Sequence, residues 1–106
     1  MQIDERTKFT ILFDQYGKLL SGKQFEVMDK HLNLDISESE MAELENASRQ
    51  AIHDAITKAK RQLLDYEEKC GFVALKQEII GDLSVLKNDC ADESIKQKLE
   101  EIITKL

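Results

Sequence analysis

A chain of 106 residues with a net charge of −6 offers one modest hydrophobic core, too little room for a large catalytic cleft, and a poor non-specific grip on nucleic acid. It contains no proline, four glycines, 34% charged residues and 6% aromatics, a composition that favours an all-helical, soluble chain. No run approaches the ~18 apolar residues of a membrane span, and the acidic opening MQIDERTKFT is not a secretory signal, so a cytoplasmic protein is expected.

The first helix is predicted from Asp4 to Tyr16, with Phe9, Ile11, Leu12, Phe13 and Tyr16 as its apolar face and Gly17 as its stop. Asp4 and Glu5 suit the positive end of its dipole. Ser21 followed by Gln24 is a capping box that opens a second helix, Gly22 to Leu32, burying Phe25, Met28 and Leu32. After a short connector, Ser37 and Glu40 form another capping box, and a short helix from Glu38 to Glu45 carries Met41, Ala42 and Leu44. Asn46 tolerates the left-handed conformation that a sharp helix end requires, and Ser48 is a natural N-cap for the next helix. The fourth helix carries Ile52, Ile56, Ala59, Leu63 and Tyr66 at spacings of four and three, a single apolar stripe, and extends to Cys70. Two helices joined by about three residues describe a helix-turn-helix, with Ala42 as the close-contact residue at their crossing and the longer helix as the reading element.

Gly71 then offers a stop, dividing a domain of residues 1–70 from a helical extension of 71–106. Phe72, Leu75, Ile79, Leu83 and Leu86 predict a fifth helix to Leu86, in which Gly81 implies a kink or a close contact. A polar break at 88–92 precedes a sixth amphipathic helix with Ile95, Leu99, Ile102, Ile103 and Leu106, capped by Asp92 or Asp89. These last stripes need a surface, either the first helix of the same chain or a partner chain. A symmetric homodimer is expected, because paired DNA half-sites lie about 34–36 Å apart.

The runs LLSGKQ, LDISESEMAE, SRQAIHDAI and DYEEK resemble the YlxM-like family of small bacterial cytoplasmic proteins, which is itself similar to the helix-turn-helix of sigma-factor region 4. The resemblance covers roughly residues 7–70 and extends more weakly to the end. It implies an all-α fold of five to six helices, with a sigma region 4-like helix-turn-helix and C-terminal amphipathic helices, and a DNA-binding regulator. Family genes commonly lie beside those for the signal recognition particle protein and its receptor, which implies a role in or regulation of that pathway. Sigma-type motifs usually place an apolar residue at Glu45, Gly at Asn46 and a large aliphatic at Ala47. Glu45 is therefore expected to point partly outward, and Ala47 to leave a smaller plug between the motif helices.

The outward face of the fourth helix can be derived from the ~100° step per residue. Gln50, Asp54, Thr57 and Arg61 lie opposite the stripe, Arg49, His53 and Lys60 on one flank and Lys58 on the other. Gln50 is a candidate for adenine and Arg49 for guanine or phosphate, while Ser48 and its neighbouring N–H groups suit a phosphate. Lys58, Lys60 and Arg61 are candidate phosphate contacts, and Asp54 repels phosphate but can accept from a cytosine amino group. Residues 37–47 carry four acids and no base, whereas 48–70 carry five bases against four acids, so the acidity lies mostly outside the reading helix.

His31 and His53 have no metal-ligand spacing; His31 is expected to interact with the C-terminal dipole of its helix. Cys70 and Cys90 lack a C-x-x-C or His pairing and read as reduced thiols rather than a disulfide or zinc site. No phosphate loop, H-E-x-x-H or nucleophile elbow occurs, so neither an enzyme nor a cofactor is expected. The alternative to a DNA-binding regulator is a protein or RNA interaction module of the signal recognition pathway that retains the fold.

Overall fold

The computed structural model describes residues 4–106 and is all-α. Six helices succeed one another: α1 Glu5–Tyr16, α2 Gly22–Leu32, α3 Glu38–Leu44, α4 Arg49–Cys70, α5 Phe72–Asp89 and α6 Glu93–Lys105, with a 3-10 turn at Gly17–Leu19 and no strand among the described residues. Contacts divide the chain into two compact units, one ending at Cys70 and one of Gly71–Leu106.

In the first unit each helix begins where a short polar side chain satisfies an orphan backbone donor. Asp4 accepts from the Thr7 N–H at 2.7 Å, which holds its carboxyl below the ordinary value. Ser21 accepts from Gln24 at 3.2 Å, Ser37 from Glu40 at 3.1 Å and Ser48 from Ala51 at 3.0 Å. At Ser37 the box closes side chain to side chain, the hydroxyl lying 3.2 Å from Glu40 Oε1. Gly17 ends α1 in ordinary right-handed geometry rather than as a left-handed stop. Its lack of a side chain matters for space: a Cβ there would sit 2.9 Å from Phe13 Cε1.

The core of this unit is the stripe of α4, with Ile52, Ile56, Ala59 and Leu63 all buried against α1, α2 and α3. Phe9, Leu12, Phe13 and Tyr16 come from α1, Val27, Met28 and Leu32 from α2, and Met41 and Ala42 from α3. In α2 the weight shifts by a residue or two from expectation: Val27 is fully buried, while Phe25 is half-buried with its ring 5.0 Å from that of Phe13. Tyr16 donates its hydroxyl to the Glu67 carboxylate and Tyr66 donates to the Leu19 carbonyl at 3.2 Å, so the far end of α4 is fastened to the end of α1.

The helix-turn-helix is α3, a turn, and α4. The Asn46 N–H reaches the Glu43 carbonyl at 3.3 Å and the Ala47 N–H reaches the Ala42 carbonyl at 2.9 Å, the paired bonds of a Schellman ending. Asn46 stands at φ +52°, left-handed as its sequence position suggests. Glu45 is only partly outward, its mostly covered carboxylate lying 3.4 Å from the Lys30 ammonium. Ala47, by contrast, is exposed, so it plugs nothing between the motif helices. Its N–H, not its side chain, serves the turn. Asn46→Val is expected to lower stability by about 1–2 kcal/mol, because a β-branched residue is disfavoured there, while Asn46→Gly should not destabilise. Urea midpoints of the two variants check this, and equal losses would count against the turn geometry.

In the second unit α5 packs with α6, and α5 runs three residues beyond its predicted end, leaving only 90–92 as the break. Asp92 accepts from the N–H groups of Ser94 at 2.8 Å and Ile95 at 3.3 Å, and Lys87 pairs with Glu100 across the two helices. Gly81 is exposed and a Cβ there would meet nothing within 4 Å, so no close contact explains it. Ile80, Leu83, Ser84 and Lys87 of α5 are half-covered and Leu99 of α6 is buried. The predicted stripe divides: Leu83 joins that covered face, while Phe72, Leu75, Ile79 and Leu86 are exposed.

Candidate nucleic-acid interface

The surface of α4 opposite its buried stripe begins at Ser48, whose hydroxyl is engaged in capping. Arg49, Gln50, His53, Asp54, Thr57, Lys58 and Arg61 are all exposed, so seven of the nine candidates from the sequence reach solvent beyond the cap. Arg49, Lys58 and Arg61 make no ion pair among the described residues, and their charges stay available to an anionic ligand.

Two of the nine are engaged by other helices, which periodicity does not reveal. Lys60 turns away from the group: its Nζ lies 4.9 Å from the centroid of the Phe9 ring and 3.7 Å from Glu5 Oε1, with the side chain about a quarter exposed. The flank position reads correctly on a helical wheel, yet α1 lies beside that flank and recruits the ammonium. His53 Nδ1 lies 3.1 Å from Glu38 Oε1 and 3.3 Å from Oε2, which ties the second turn of α4 to the first turn of α3. Glu38, Arg49, Gln50 and His53 line one open recess of about 340 Å³ where the two motif helices begin. Gln50 Nε2 in turn donates to Asp54 Oδ1 at 2.9 Å, one helical turn on.

Arg6 was not anticipated. Its guanidinium donates to the Leu32 carbonyl at 2.9 Å and the His31 carbonyl at 3.4 Å, and pairs with Asp35 at 3.2 Å. A cation thus stands at the negative end of the α2 dipole, but it belongs to α1. The imidazole of His31 lies in the same last turn of α2. Burial first, then the Lys60 and Arg6 charges, push it below the ordinary histidine value, with Glu38 and Asp35 opposing. No local pattern links residues 6 and 32, so only the packing of α1 on α2 could show this contact.

The lowered value has a sign that can be tested. The folded chain takes up the His31 proton less readily than the unfolded chain, so stability falls as pH drops through the ordinary histidine range and below it. His31→Asn is expected to lose less stability than the parent between pH 7 and pH 5.5. Urea midpoints at the two values measure it, and parallel losses would remove His31 as the cause.

Comparison with known proteins places the motif in a family. The family UPF0122, described as "Putative helix-turn-helix protein, YlxM / p13 like", matches residues 3–105. The chain belongs to the UPF0122 family. A UPF0122 protein of Clostridium perfringens strain 13 is 40% identical, with 95% of this chain and 98% of the relative covered. One from Fusobacterium nucleatum is 38% identical over 97% of this chain and its own full length, and one from Clostridium acetobutylicum is 37% identical over 94% and 92%. The match of UPF0122 extends through the second unit and takes in the residues of α5 and α6. No described helix is long and apolar enough to cross a membrane.

Proposed function

We propose that this UPF0122 protein is a DNA-binding regulator of the cytoplasm that reads duplex DNA with the exposed face of α4. The observation that carries the reading is the grouping of exposed Arg49, Gln50, Thr57, Lys58 and Arg61 on the second helix of a helix-turn-helix, with three cations free of intramolecular ion pairs among the described residues. Arg49 and Gln50, at the N-terminal end, meet base edges; Ser48 and the first N–H groups approach a phosphate; Lys58 and Arg61 hold the backbone. Lys60, drawn to α1, contributes less than its neighbours.

The test separates specificity from affinity. Arg49→Ala and Gln50→Ala are expected to relax sequence preference by about 1–3 kcal/mol each. Lys58→Ala should weaken all sequences alike and reduce the salt slope by about one. If none of the three alters retention of DNA while the fold persists, α4 is not the reading surface.

A second reading, an interaction module for a protein or RNA of the signal recognition particle pathway, is favoured by the overall charge of −6 and by the placing of Glu38 and Asp54 beside the reading residues. Binding driven by packing would change little with salt, whereas phosphate binding weakens steeply. On either reading, we propose that two copies associate through the second unit. No residue of α5 is buried, Leu75, Ile79 and Leu86 expose one side of it, and Ile95 and Ile102 of α6 are exposed as well.

A further inference from the structure

Asp54 reads in the sequence as an electrostatic handicap, a carboxylate amid groups that face phosphate. In the structure it has a partner other than a cation. Lys58 stands four residues on, at the spacing of a helical ion pair, yet the two form none among the described residues. The group that Asp54 holds is the Gln50 amide, Nε2 to Oδ1 at 2.9 Å, with both side chains exposed on the face opposite the buried stripe.

We propose that Asp54 is a positioning residue for sequence reading, fixing the Gln50 amide so that it accepts with Oε1 and donates with its second N–H to an adenine edge in the major groove. The inference rests on the DNA-binding reading above. A carboxylate only accepts, so it selects the NH₂ end of the amide; a flipped amide would set oxygen against oxygen. The flip that lets a lone glutamine serve either a donor-first or an acceptor-first edge is thereby suppressed. What remains outward is one acceptor and one donor, which match N6–H and N7 of adenine. The charge of Asp54 weakens attraction to every phosphate nearby, so it lowers affinity for all sequences while raising the difference between them.

Selection from a random duplex library, with titration of the chosen site and of versions altered at each base pair, tests this in the full-length chain. The parent is expected to prefer A·T at one position, and Gln50→Ala to lose that preference. Asp54→Ala should bind unselected DNA more tightly than the parent while discriminating at that position about 5- to 100-fold less. Asp54→Asn, whose Oδ1 can still accept from Gln50, should gain affinity and keep most of the preference, which a merely structural role would not produce. Retained preference in Asp54→Ala overturns the proposal, as does a preferred base other than adenine at the position Gln50→Ala relaxes. A parent that retains no DNA at low salt overturns the DNA-binding reading itself, and this proposal with it.

Discussion

Leu63→Ala is expected to lower the stability of the first unit by about 2–5 kcal/mol. Leu63 is fully buried, on the one helix that packs against α1, α2 and α3 together. Removing its three outer carbons leaves a cavity in a closely packed interior, which relaxation of the surroundings fills only in part. For a unit of this size each 1 kcal/mol shifts the midpoint of thermal unfolding by roughly 4–8 °C, so a loss of at least ~8 °C should be seen. Leu64→Ala is the internal control, since Leu64 is 41% exposed and its truncation should change little. Near-equal losses for the two would mean that α4 presents a different face to the core.

The second large effect is expected from ending the chain at Lys69. Sedimentation of the full chain at micromolar concentration should give twice the mass of one copy, and the shortened chain the mass of one. The reason is the exposed apolar side of α5, an area that a symmetric pairing can cover on both copies at once. Circular dichroism guards the comparison, because the first unit keeps Tyr66 and Glu67 and so retains both fastenings of α4 to the end of α1. A full-length chain that sediments as one copy rejects the pairing. A shortened chain that stays double moves the contact to the N-terminal helices.

Local signals made most of the fold legible. Serine ahead of a run at helical spacing located the caps of α2, α3 and α4, Asp92 was one of two candidates for α6, and the stripe Ile52, Ile56, Ala59, Leu63 fixed which side of α4 turns inward. The left-handed Asn46 was readable for the same reason, a residue type chosen by backbone sterics. What the sequence hid was contact between elements. Ala47 looked like a plug because a linear motif records positions, not which atom of a residue is used. Gly17 does end α1, as its position suggests, but the closeness of the Phe13 ring, which leaves no room for a Cβ, was not readable. The candidate face of α4 was legible as a set of exposed positions, but not the departure of Lys60 to Phe9 and Glu5 or the hold of Glu38 on His53, which span many residues of sequence.

The fastening of Tyr16 to Glu67 joins residues 51 apart in the chain. During synthesis, at about 5–20 residues per second, roughly 3–10 s pass between the appearance of the first partner and the second. For that interval Phe9, Leu12 and Phe13 have no α4 to cover them, and α1 must wait as an open amphipathic segment. The growing chain is therefore most exposed to capture by chaperones, or to adhesion to its neighbours, before its longest helix has been made. The order of translation, rather than the final stability, sets when this protein is vulnerable.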